Sequence, residues 1–214
     1  TVVIQDTTPP VLPTLATITA QCSTTVATPT AMDNCSGVVT ATTSDATMIT
    51  SQGTSTILWI FTDMEGNSSS ATQTVVIQDT MAPIAPTLAI ITAQCSTTVA
   101  TTPTAIDNCS GVVTATTSDA TVITAQGTST ILWIFTDAAG NSSSATQTVV
   151  IADTIAPVVP TLATITAQCS TTVATPTAMD NCSGVVAATT SDATVITAQG
   201  TSTILWIFTD AAGN

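Results

Sequence analysis

The sequence predicts an all-β protein, three small antiparallel β-sandwiches in tandem. Two observations lead to it. The chain repeats itself: Thr54–Asp63 recurs without change as Thr128–Asp137 and Thr201–Asp210, and Cys22, Cys95 and Cys169 stand 73 and 74 residues apart. Within each unit, apolar residues alternate with Thr, Ser and Gln at a period of two, and no stretch shows the three-to-four-residue period of a helix. The single-residue slip in the period is an added Thr in Ala100-Thr-Thr-Pro103.

Residues 1–5 read as the closing strand of a preceding repeat, 6–78 and 79–152 as complete repeats, and 153–214 as a third without its closing strand. Thr1–Gln5 repeats Thr74–Gln78 residue for residue. Each repeat opens on a connector, Asp6-Thr-Thr-Pro-Pro10, Asp79-Thr-Met-Ala-Pro83 or Asp153-Thr-Ile-Ala-Pro157, which proline makes short and stiff. Ala16, Ile18, Ala20 and Cys22 alternate with polar residues, the rhythm of a half-buried strand, and point Cys22 inward. Asp33-Asn-Cys-Ser-Gly37 is a run of turn formers. Val38–Thr43 and Thr47–Thr50 predict short strands on either side of Ser44-Asp45-Ala46.

The central strand follows, holding every aromatic residue of its repeat. Ile57, Trp59 and Phe61 fall on one face, Leu58 and Ile60 on the other, so the pattern predicts burial on both sides, the second against another layer or chain. Ser68–Gln78 returns across the Asp63–Asn67 loop as the closing strand. Six or seven short strands in about 73 residues fit an immunoglobulin-like antiparallel β-sandwich.

Composition excludes several function classes. The chain has no Lys, Arg or His and thirteen acids, for a net charge of −13. It cannot neutralise phosphates, which argues against nucleic acid and against anionic membrane surfaces. Its longest apolar run, Ile57–Phe61, is too short for membrane insertion. No histidine is available to activate a cysteine nucleophile, and the sequence reads as non-enzymatic.

Each repeat carries two cysteines, Cys22/Cys35, Cys95/Cys109 and Cys169/Cys182. Pairing within the repeat is the simplest arrangement, closing a loop worth roughly 3 kcal/mol. Disulfides imply an extracellular setting. A thiolate metal site would lack both histidine and a Cys-x-x-Cys spacing.

Asp-Thr-x-x-Pro, Gln-Cys-Ser, Asp-Asn-Cys-Ser-Gly, Gln-Gly-Thr, Trp-x-Phe-x-Asp-x-x-Gly-Asn and Ala-Thr-Gln-Thr-Val-Val-Ile occur in that order along the repeat. The set resembles the hyalin-repeat-like, immunoglobulin-like tandem modules of large Bacteroidetes surface proteins, which are similar to gliding adhesins exported by the type IX system. That resemblance implies a stalk or fibre with no chemistry of its own.

Twelve of the thirteen acids recur at four fixed places, Asp6, Asp33, Asp45, Asp63 and their copies. Each must face water, cap a turn or bind a cation, and hard oxygen donors suit Ca²⁺. Asp6, Asp63, Asn67, Asp79, Asp137, Asn141 and Asp153 are the candidate ligands, with the Asp63–Asn67 loop expected to meet the next connector at Asp79. The competing reading makes these residues turn formers only. Thr80 and Thr154 sit in Asp-Thr-aliphatic contexts similar to Bacteroidetes O-glycosylation sites.

Two functions stand at this stage, a structural stalk that sets length and stiffness, and an adhesin whose repeats bind a ligand directly. Expected partners are further copies of the repeat, in the same chain or in neighbouring ones. Residues 1–5 are a closing strand without a repeat and the third repeat lacks one; the plain expectation is a three-repeat window on a longer repetitive chain, and the sharper one is head-to-tail strand donation between chains.

Overall fold

A computed structural model describes residues 1–214, and every regular element in it is a strand. No helix is long and apolar enough to cross a membrane. The chain forms two compact units. One comprises Thr1–Ala85, Thr104–Ala115 and Ile134–Ser143, and the other Pro86–Pro103, Thr116–Trp133 and Ser144–Asn214. The second sequence repeat is thus divided between them.

In the first unit the strands are β1 (Ile18–Ala20), β2 (Thr24–Thr25), β3 (Thr30–Asp33), β4 (Gly37–Thr40), β5 (Met48–Ile49), β6 (Gly53–Thr62) and β7 (Ser68–Ile77). The hairpin of β6 and β7 dominates, with ten residues in each strand and pairs running from Gly53↔Ile77 to Thr62↔Ser68. On the other edge of β7, β1 pairs in parallel, Ile18↔Val75 to Ala20↔Ile77. Five strands separate β1 from β7 in the chain, so no hairpin turn constrains this pair to be antiparallel. Antiparallel pairs β3–β4 and β2–β5 complete the repeat, joined by the bridges Val11↔Met32 and Thr42↔Ile60. Gly37 closes the β3–β4 turn with φ of 74°, a conformation that glycine adopts without the Cβ penalty.

The core consists of Val26, Ala31, Val39, Ala41, Ile57, Trp59, Phe61, Val75 and Ile77, flanked by Leu15, Ile18, Ala20, Ile49 and Ala71. Trp59 is 1% exposed, whereas Leu58 and Ile60 are 46% and 40% exposed. The expectation of a strand buried on both faces is therefore corrected: β6 has one core face, and nothing in the repeat covers the other.

The second repeat reproduces these elements as β8 (Ile91–Ala93), β9 (Thr97–Thr98), β10 (Thr104–Asp107), β11 (Gly111–Thr114), β12 (Val122–Ile123), β13 (Gly127–Thr136) and β14 (Ser142–Ile151). Sheet order β13-β14-β8 matches β6-β7-β1. In the third repeat only β15 (Thr171–Thr172), β16 (Thr177–Asp180), β17 (Gly184–Ala187) and β18 (Val195–Ile196) form. Its long apolar stretch, identical in sequence to β6, has no closing strand beside it and keeps just the bridge Thr189↔Ile207. Trp206 and Phe208 are accordingly half-buried.

Candidate functional site

Each of the four recurring acids has a distinct local task. Asp33 ends β3 at the hairpin turn, where its Oδ1 accepts from the backbone N–H of Cys35 (2.9 Å) and Ser36 (2.7 Å). Asp63 ends β6, and its Oδ1 accepts from the N–H of Glu65 (3.0 Å) and Asn67 (2.7 Å) while its Oδ2 accepts from the Asn67 side-chain amide (2.7 Å). Burial opposes the charge on Asp63, but these bonds and that of Gly66 outweigh it and hold the pKa below the ordinary 3.8; Asp137 and Asp210 behave alike. Asp6, in the connector, accepts from the N–H of Thr8 (3.0 Å). Asp45 stands apart: its Oδ2 accepts from the N–H of Leu58 (2.7 Å), as Asp119 does for Leu132 and Asp192 for Leu205.

Three of the four then converge. Asp6, Asp33 and Asp63 each bring one carboxylate oxygen to a common point, with those oxygens within 4.8 Å of one another, and Asp79, Asp107, Asp137 and Asp153, Asp180, Asp210 do the same. Asp33, Asp79, Asp107, Asp153 and Asp180 are all more than nine-tenths buried. The Oδ2 atoms of these five, and of Asp6, have no hydrogen-bond partner. Three converging carboxylates, two of them with an unpartnered Oδ2, can coordinate a hard cation.

The expected ligands are therefore regrouped. Asp63 meets Asp6, the connector entering its own repeat, and Asp137 likewise meets Asp79; the Asp63–Asn67 loop does not join Asp79. Asn67 and Asn141 hold the triad from outside, donating to the connector carbonyls of Asp6 and Asp79 (both 3.3 Å) as well as to Asp63 and Asp137. Asp33, Asp107 and Asp180 were not among the residues singled out from sequence. Their recurrence was visible, but the Asp-Asn-Cys-Ser-Gly turn gave them a sufficient local role and masked the second one.

The cysteines differ more sharply from expectation. Cys22 bonds Cys109 and Cys95 bonds Cys182, each across 87 residues, leaving Cys35 and Cys169 as free, exposed thiols. Pairing within repeats is corrected: the first cysteine of a repeat reaches the second cysteine of the next. Cys22 sits at the bend after β1, half-buried instead of in the core, because it faces the neighbouring repeat's turn. Asn108 lies beside that bond, its amide donating to both sulfurs. Partial desolvation, then the hydrogen bond and charge of Asp6, then Asp33 and Glu65, raise the Cys35 thiol pKa above 9.0.

Gln73 is a further residue that the sequence did not single out. From β7 it accepts from the buried Trp59 indole N–H (3.0 Å) and donates to the Ala16 carbonyl (3.1 Å), tying three segments together. Thr80 and Thr154 are exposed, and each hydroxyl accepts from a glutamine amide, that of Gln21 or Gln94 (both 3.1 Å).

Compared with known proteins, the chain matches a family model described as an HYR-like domain with 4 cysteines, over residues 10–77 and again over 83–151. Curated protein sequences gave no match.

Proposed function

We propose, from the premise that the chain belongs to the family of HYR-like domains with four cysteines, that it is a load-bearing stalk segment of an extracellular repetitive surface protein, setting length and stiffness. The finer likeness, to gliding-adhesin-like Bacteroidetes proteins exported by the type IX system, is part of the same proposal. The observation that carries the reading is the staggered cross-linking. Each disulfide joins a repeat to its successor, so tension along the chain passes through Cys22–Cys109 and Cys95–Cys182 instead of through the strand ladders. Cys35 and Cys169 occupy the positions of the next rungs and take cysteines of adjoining repeats, in the same chain or a neighbouring one. Each such bond forms as two thiols give up two protons and two electrons to a disulfide oxidant, which leaves as a dithiol.

Single-molecule stretching of the oxidised chain tests the reading. The rungs bypass all of Cys22–Cys182 except the stretch Cys95–Cys109, so adding a reductant should release roughly 500 Å of contour at about 3.5 Å per residue. Equal contour with and without reductant would defeat the stalk reading. Tight binding of the isolated chain to glycans or cell surfaces would favour the adhesin instead.

A further inference from the structure

We infer that each repeat holds one Ca²⁺ ion between its entering connector, its Asp-Asn-Cys-Ser-Gly turn and the loop after its long strand, at Asp6/Asp33/Asp63, Asp79/Asp107/Asp137 and Asp153/Asp180/Asp210. The inference stands apart from the stalk reading, since it follows from the carboxylates alone.

The first argument concerns charge. Burying an ionised oxygen without a donor is among the most costly things a fold can do, and the protein does so at six Oδ2 atoms. No Lys, Arg or His exists anywhere in the chain to compensate. Protonation does not remove the difficulty, because a neutral carboxyl would bury an O–H with no acceptor at the same atoms. A counter-ion satisfies both orphaned oxygens of a triad at once, with the carboxylate of Asp63, Asp137 or Asp210 as its third ligand.

Geometry selects the ion. Ca²⁺ binds oxygen at about 2.3–2.6 Å, so ligands on opposite sides of it lie about 4.6–5.2 Å apart. Oxygens that all fall within 4.8 Å of one another can therefore touch a single ion. The donor set is carboxylate oxygen only, which suits a hard cation and not zinc or copper. Mg²⁺ requires near-ideal octahedral distances of about 2.0–2.1 Å and keeps its waters. Three carboxylates supplied by three separate backbone segments fit the more tolerant shell of Ca²⁺.

The site also has a mechanical consequence. Asp6, Asp79 and Asp153 belong to the proline connectors, whereas their partners belong to the body of the repeat. The ion thus clamps each connector onto the repeat that it enters, the amides of Asn67, Asn141 and Asn214 already reaching the connector carbonyls of Asp6, Asp79 and Asp153.

Equilibrium dialysis of the intact chain against Ca²⁺ in excess Mg²⁺, read by metal analysis, gives the stoichiometry. Three ions per chain are expected, two for Asp33→Asn, and three for Asp45→Asn, whose carboxylate lies outside the triads. Asparagine at 33 keeps the oxygen that caps the Cys35 and Ser36 amides, so the turn survives. Should that variant fold poorly, Asp180→Asn asks the same of the third repeat, and the wild-type count stands by itself. No bound Ca²⁺ at millimolar concentration in the wild type, or three ions retained in a folded triad variant, would overturn the inference.

Discussion

Replacing Gln73 by Met tests whether one polar side chain fixes the central hairpin. Methionine matches glutamine in length and volume, so the packing of β7 is preserved while both hydrogen bonds disappear. The indole N–H of Trp59, on a side chain only 1% exposed, loses its sole acceptor, a cost of about 1–3 kcal/mol. The carbonyl of Ala16 loses a donor as well, but Ala16 is exposed and water replaces it, adding about 1 kcal/mol or less. The expected loss is about 1–4 kcal/mol. Gln147 supplies an internal control. It bonds Trp133 at 3.1 Å but reaches Ala89 only at 3.4 Å, and it is half-buried where Gln73 is buried. Gln147→Met should therefore cost clearly less. Urea denaturation followed by fluorescence, with Trp59 or Trp133 as the sole tryptophan, reports each repeat by itself. A Gln73→Met variant within about 0.5 kcal/mol of its parent, or a larger loss at Gln147, would refute the reasoning.

Two other outcomes follow from the same geometry. Cys22→Ser with Cys109→Ser opens an 87-residue loop, for which the chain-entropy relation gives about 4–5 kcal/mol; calorimetry should show the loss in the oxidised chain and none after reduction of the parent and the variant alike. Asp63, Asp137 and Asp210 have folded pKa values below their unfolded ones, so the stability they contribute is present above the ordinary 3.8 and is lost as pH falls through the lower folded value. In a chelator, Asn67→Ala should raise the midpoint of acid unfolding measured by circular dichroism; an unchanged midpoint would contradict the assigned cause.

Much of the fold can be read from the residues. The repeat length, the β6–β7 hairpin and the Asp33–Gly37 turn are local, and local patterns record them: strand ends fall within a residue or two of Thr54–Asp63 and Ser68–Gln78. What escapes are choices between equivalents. Cys109 and Cys35 stand in identical surroundings, Asp-Asn-Cys-Ser-Gly, so no pattern distinguishes the partner in the same repeat from the one a repeat away. The same degeneracy turned the Asp63 loop toward Asp79 on paper and toward Asp6 in space. Leu58 and Ile60 misled for another reason. Ile57–Phe61 is apolar at every position, so alternation is silent about which face the core covers.

Disulfide mapping tests the central claim, that successive repeats are welded to one another. Trypsin is of no use in a chain without Lys or Arg, but cleavage before aspartate separates every cysteine, because Asp33, Asp107 and Asp180 each lie between the two cysteines of a repeat. The fragment carrying Cys182 is identifiable by Ala187, where the other repeats have Thr40 and Thr114. Under non-reducing conditions the account predicts that this fragment is joined to the one beginning at Asp79, which carries Cys95. Finding it joined to the fragment beginning at Asp153, through Cys169, would contradict the account.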